Sequence, residues 1–237
     1  MHFNLRRLIK ILAILLIATF VIKRCNNTDE KTNSGSFETK GKNATCFTGS
    51  TGALDFLKEK AEAIDQAQIM YNSEPLSDCS GMFFRMIKAL QEKCPDFDYP
   101  KMKQARSSRQ LAAYYHKKGK LTIIKNDEEA SQYLQPGYAL FFGRNGKKYT
   151  RFDIDFLTNG STGIQHMGLL LEVEIENGVI QTYKMFHGRS SGKAAKITEH
   201  FRKYKYDDDN KYSPYGNWGQ QLVAVAKILP DAELHAN

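Results

Sequence analysis

The spacing of apolar positions changes character near residue 120. Before it, Leu54, Leu57, Ala61, Ile64 and Ala67 or Ile69 recur at roughly helical spacing, predicting a first amphipathic helix between Gly52 and Met70. Tyr71 to Ser77 carries Asn, Ser and Pro and predicts a loop. A second helix is predicted to open at Cys79, run to about Lys93 and stop before Pro95, with Phe83, Ile87 and Leu90 entering the core. Arg109 to His116 predicts a third, ended by Gly119. After that the pattern favours strands: Leu121 to Ile124, Tyr138 to Phe142, Ile164 to Ile175, Val179 to Phe186 and Leu222 to Leu229. Asn145-Gly146 and Asn177-Gly178 are hairpin signals, the first returning through Tyr149 and Phe152. Thr198 to Gln221 is polar and tyrosine-rich and reads as a loop, with at most one helical turn near His200. Helices first and antiparallel strands second give an α+β fold.

The N-terminus has a different pattern. Arg6, Arg7 and Lys10 precede a continuous apolar run from Ile11 to Ile22, and Lys23 and Arg24 close it. Residues 1–25 therefore read as a secretory signal or as an N-terminal membrane anchor. Lys23 and Arg24 stand where lipoprotein processing would want small uncharged residues before Cys25. Residues 26–50 are polar and read as a flexible linker, leaving 51–237 as the folded domain. The body is expected to be exported, to the periplasm, the cell envelope or the outside, with anchoring through the N-terminus an open alternative. The net charge of +8 over 237 residues suits an acidic partner such as an anionic wall polymer or lipid. The basic residues are scattered, with no arginine-rich helix and no zinc-finger spacing, so nucleic acid is not an expected partner.

Four cysteines follow the same logic. Cys25, Cys46, Cys79 and Cys94 include no Cys-x-x-Cys pair, which argues against a structural zinc site. Export permits disulfides, and a Cys46–Cys94 bridge would flank the first helices. Cys79 opens a helix, where backbone N–H groups carry partial positive charge and favour a thiolate. With Asn177-Gly178 as the two-residue turn, Glu176 faces Val179, His187 faces Gly168 and His166 faces Arg189. His166 and His187 then become diagonal neighbours on one face. A thiol that loses its proton to an imidazole, itself oriented by a third polar group, is the arrangement of cysteine acyl-transfer chemistry. Cys79 is the candidate nucleophile, His166 the base and His187 the orienting residue, with the helix start available to stabilise an oxyanion. Taken alone, Cys79 fits an inert core cysteine equally well. No metal or other cofactor is called for by this set. His200 is held in reserve, and His2, His116 and His235 read as ordinary polar residues.

Four segments, in order, resemble the NlpC/P60 cell-wall peptidases, a papain-like family. Asp78-Cys79-Ser80-Gly81 resembles the family's nucleophile motif. Leu134 to Phe142 resembles its Pro-Gly-containing strand, with Tyr138 in place of the usual aspartate. Gln165-His166-Met167-Gly168 resembles the strand that carries the base, and Met185-Phe186-His187-Gly188 the strand of the third catalytic residue. The resemblance spans roughly Thr51 to Pro230. It implies a papain-like NlpC/P60 fold, N-terminal helices packed on an antiparallel sheet. It also implies a cysteine peptidase or amidase acting on peptidoglycan stem peptides, with Tyr71, Asp78 and Ser80 on the substrate side. Variant members of the family are secreted antibacterial toxins with immunity-protein partners, and others in the wider superfamily transfer acyl groups to or from lipids. A non-catalytic wall-binding module on the same fold and a lipid or protein acyltransferase are therefore the alternatives.

Overall fold

In the computed structural model of the chain, residues 46–47, 52–202 and 214–229 are described. The apolar N-terminal run, Cys25 and most of the expected linker lie outside them. Among the described residues no helix is long and apolar enough to cross a membrane.

Three helices lead: α1 (Ala53–Gln66), α2 (Cys79–Lys93) and α3 (Ser108–Lys117). Strands follow as β1 (Leu121–Ile123), β2 (Tyr138–Phe142), β3 (His166–Glu176), β4 (Val179–His187), β5 (Lys196–Phe201) and β6 (Leu222–Lys227), with a short helix α4 (Ile154–Thr158) before β3. The strands form one six-stranded sheet in the order β1-β6-β2-β3-β4-β5, every pairing antiparallel. The class is α+β.

The core follows the predicted faces. Leu57 and Ala61 of α1 and Phe83, Ile87 and Leu90 of α2 are buried, and all five residues of β2 are buried. Helix α2 packs on β3 and β4, and α1 on β3 and β5. The first six residues of β3 are buried on both faces, so the strand carrying His166 is interior from its first residue.

Two sequence expectations fail, each for a clear reason. The return strand through Tyr149 and Phe152 does not form. Strand β2 is already flanked by β6 and β3 and has no free edge to offer. Tyr149 instead folds inward, its hydroxyl donating to the Gly163 carbonyl (2.7 Å) and accepting the Arg144 N–H (2.9 Å). Thr198 to Phe201, the start of the stretch expected as loop, belongs to the edge strand β5 (Lys196–Phe201). Its alternation of Ile197, Glu199 and Phe201 with Thr198 and His200 is a strand period in a polar sequence. Its outer edge is held by α1, where the Asp65 carboxylate accepts the Ile197 N–H at 2.9 Å.

The folded body also reaches back into the segment expected as linker. Cys46 is disulfide-bonded to Cys94, immediately after α2, and Phe47 is buried in the core against Phe56. The bridge closes a loop of 48 residues around α1 and α2. Loop-closure entropy for that length is about 4 kcal/mol. Cys46→Ser with Cys94→Ser should therefore lower unfolding stability by roughly 3–4 kcal/mol, read as a drop in urea midpoint. The same drop should appear in wild type under reducing conditions and not in the double variant.

Candidate active site

The start of α2 is fixed before any chemistry is considered. Asp78 is the N-cap, its carboxylate accepting the Gly81 N–H at 2.7 Å. Arg106, just before α3, donates to the same carboxylate oxygen (3.0 Å) and to the Ser80 hydroxyl (2.7 Å). From within α2, Arg85 reaches back to the Leu76 and Pro75 carbonyls at 3.0 and 2.8 Å. A Cβ at Gly81 would lie 2.5 Å from Leu76 backbone atoms, and one at Gly188 would lie 3.0 Å from the Cys79 Cα. Both positions need glycine because backbones meet there. Gly188 directly follows His187, so its contact brings the end of β4 onto Cys79.

Across the sheet, His166 is the first residue of β3 and His187 the last of β4. His166 Nε2 and His187 Nδ1 are 2.7 Å apart. The line continues from His187 Nε2 to Thr198 Oγ1 (2.9 Å) and from Thr198 Oγ1 to His200 Nε2 (2.8 Å). All three histidines are buried, and His200 stacks on Tyr183. Donation in either direction satisfies the line. In one of the two, His166 Nε2–H donates to His187, His187 Nε2–H to Thr198 and the Thr198 hydroxyl to His200. That direction leaves Nδ1 of His166 with its lone pair, as a base requires.

Cys79 and His166 line one cavity of about 360 Å³, together with Tyr71, Arg189, Lys193 and Trp218 among others. Tyr71 is placed there by chain pairing: residues 69–71 run antiparallel to 193–195, with the Tyr71 N–H bonded to the Lys193 carbonyl at 3.0 Å. Asp78 and Ser80, expected on the substrate side, do not line this cavity. They cap and brace the helix start through Arg106. His187 stands behind His166, away from the cavity lining. Among the described residues no three His, Cys, Asp or Glu side chains gather as metal ligands.

No family model, curated protein or solved structure matches the chain.

The electrostatics reverse one expectation. Among the described residues Cys79 is the free cysteine, and it is partly exposed. Backbone N–H groups of Ser80, Met167 and Cys79 itself favour its thiolate, as a helix start should. Burial among dense surroundings outweighs them, the Asp78 charge adds to it, and the thiol is pushed up to about 11. Burial also pushes His166 down to about 4 and His187 well below the ordinary imidazole range. Near neutral pH the site therefore holds a thiol and neutral imidazoles, not an ion pair. Cys79 and His166 share no direct hydrogen bond; the Met167 N–H, adjacent to His166, serves the sulfur instead.

Thr198 stands in a polar segment whose hydrophobicity does not mark a strand. The period-two pattern from Lys196 to Phe201 was the available signal. Arg189, Asn217 and Trp218 lie in stretches without a motif.

Two outcomes follow from this geometry. The rate of Cys79 alkylation by a neutral reagent should rise about tenfold per pH unit from 7 toward 10, without a plateau near neutrality, as mass spectrometry of the modified peptide would record. A plateau below pH 8 would contradict the raised thiol. Thr198→Val keeps the shape but removes the bond to His187 Nε2, and should cost roughly 1–3 kcal/mol in urea unfolding.

Proposed function

We propose that the protein is a cysteine hydrolase that cleaves amide bonds in peptidoglycan stem peptides, on a papain-like fold of the NlpC/P60 type. The observation that carries this reading is the cavity where Cys79, at a capped helix start, meets His166, whose ring is held by His187 at 2.7 Å. Helices before an antiparallel sheet, with the base at the start of one strand and its partner at the end of the next, agree with the family resemblance. Tyr138, where the family has an aspartate, is buried under Lys227 and stands outside the cavity lining.

In this reading the thiol is deprotonated as it attacks. Nδ1 of His166 takes the Cys79 proton while Sγ adds to the substrate carbonyl carbon. The resulting imidazolium is stabilised through the line to His187, Thr198 and His200. N–H groups at the start of α2 supply hydrogen bonds to the oxyanion. His166 then gives its proton to the departing amine as the tetrahedral intermediate collapses to a thioester. Water, losing a proton to His166, hydrolyses that thioester and regenerates the thiol. The expected setting is the cell envelope, with the N-terminal segment as signal or anchor, and an immunity protein as partner if the enzyme is a toxin.

A non-catalytic wall-binding module is the second reading. It is favoured by the protonated thiol and by the lack of a direct Cys79–His166 hydrogen bond. Digestion of purified peptidoglycan with the full chain and its Cys79→Ala variant, followed by mass spectrometry of the muropeptides, separates the two. The hydrolase predicts cleaved stems from wild type and at least a thousandfold less from Cys79→Ala, on the order expected for loss of a nucleophile. Wall material bound equally by both, with no product, would favour the module. A stable acyl-thioester on Cys79 formed from a lipid donor would indicate acyl transfer.

A further inference from the structure

The hydrogen-bonded line behind the cavity has two ends, and the chemistry above uses one of them. His166, at the inner end, lines the cavity with Cys79. His200 closes the outer end, its Nε2 2.8 Å from Thr198 Oγ1. The His200 ring is stacked on Tyr183 at 4.9 Å and 14°, and its centroid lies 5.6 Å from that of Trp218. Aromatic faces attract positive charge. Trp218 is half-exposed and holds φ at 50° in the turn closed by the Asn217 and Gln220 backbones. A bulky side chain keeps that conformation only where its surroundings impose it.

Hydrogen counting fixes what the line can do. Each of its three links holds one hydrogen. Donation outward leaves His166 Nδ1 bare and puts the remaining His200 proton on Nδ1. Donation inward puts a proton on His166 Nδ1 and bares Nδ1 of a neutral His200. A proton added to any one ring leaves both outer Nδ1 atoms protonated, so the line titrates as one base with two ends. Burial holds His166 and His187 neutral, and at His187 the neighbouring rings and the Arg189 charge add to it. The ring between Tyr183 and Trp218 is the place left for the proton.

We propose that His200 is a positioning residue that sets the tautomer of His166 and holds the proton His166 takes from Cys79. This rests on Cys79 and His166 being nucleophile and base, and deepens that reading by placing the charge at the far end of the line. At rest the line donates outward. As Sγ attacks, its S–H bond breaks and His166 Nδ1–H forms. His166 Nε2–H then passes to His187 Nδ1, His187 Nε2–H to Thr198 Oγ1, and the Thr198 hydroxyl proton to His200 Nε2. One proton has left sulfur, His200 is the imidazolium, the other members are neutral and the line donates inward. The same four transfers run backwards when the amine departs with its proton.

The groups around His200 set the pH at which it charges, not its coupling to His166. Strand β4 presents Tyr183 and His187, with His166 behind them on β3. Arg189 and Lys193 approach through Trp218, 5.8 and 6.0 Å from its ring. Lys196 shares the His200 face of β5 and pairs with His187, whereas Glu199 pairs with Lys184 on the other face. Helix α1 meets the strand at Asp65, whose carboxylate accepts the Ile197 N–H.

Nuclear magnetic resonance of the full chain labelled with nitrogen-15 histidine separates a protonated ring nitrogen from a bare one, without any hydrolysis. At neutral pH His166 and His187 should carry their protons on Nε2 and His200 on Nδ1. On acidification the imidazolium signature should appear at His200, and His166 should change from Nε2–H to Nδ1–H with the same midpoint. In Thr198→Val, which cuts the line, His200 should charge while His166 keeps its tautomer; Thr198→Ser should restore the coupling. A mixed or inward set of tautomers at neutral pH would overturn the proposal. So would a His166 ring that is unchanged as His200 charges, or a coupling that survives Thr198→Val. If acid unfolds the chain before any ring charges, His200→Lys decides at neutral pH, because a lysine can only donate to Thr198. His166 should then carry its proton on Nδ1, and retention of Nε2–H would overturn the proposal. Muropeptide digestion is read separately. Coupled rings with no hydrolysis would sink the hydrolase and keep the line, and hydrolysis with uncoupled rings would do the reverse.

Discussion

Everything at the site depends on the close approach of two backbones. The first turn of α2 and the end of β4 meet where Gly188 touches the Cys79 Cα, and a side chain on Gly188 would collide with main-chain atoms. That contact sets the position of the Cys79 sulfur against the sheet. It also aligns the strand ends, since His187 precedes Gly188 and fixes His166 through the bond between their rings. Asp78, Arg106 and Arg85 secure the other side of the same turn with four charge-assisted bonds to carboxylate, hydroxyl and carbonyl groups. The residues next to Cys79 in sequence are therefore used to hold the helix, and the cavity is lined by residues distant in sequence.

The price of that burial is electrostatic. A helix start ordinarily lowers a thiol, yet here desolvation and the Asp78 carboxylate act the other way and win. The same dense packing keeps the histidines neutral. Charge separation inside the site is thus disfavoured by burial. The polar line through Thr198 to His200 then matters more than it would in an open site, because it is where a positive charge on His166 would be shared.

Much of the fold was legible because α2, β2 and β4 carry unambiguous patterns within short windows. The histidine pairing was legible for a subtler reason. Counting back from Asn177-Gly178 places Leu169 opposite Phe186, and the structure has that pair. The ladder nevertheless slips by one residue across Glu172 to Glu174, so that Val173 faces Tyr183, and slips back near Leu171. One extra residue on each strand cancels the other, and the count is restored before the histidines. Nothing in the residues announced either bulge. The strand β5 was missed because its inward residues are Thr198 and His200, polar groups satisfied by each other and by His187. A hydrophobicity period cannot register a strand whose buried face is a hydrogen-bonded line.

The disulfide at the far end of α2 has a consequence for the free cysteine at its start. In an oxidising compartment any accessible thiolate competes for Cys46 or Cys94 while the chain is being oxidised. Once the fold forms, the length of α2 holds Cys79 about 22 Å from Cys94, and burial keeps it a thiol, so the bridge that staples one end of the helix is insulated from the sulfur at the other. A single helix thereby carries an oxidised cysteine at its end and a reduced one at its beginning.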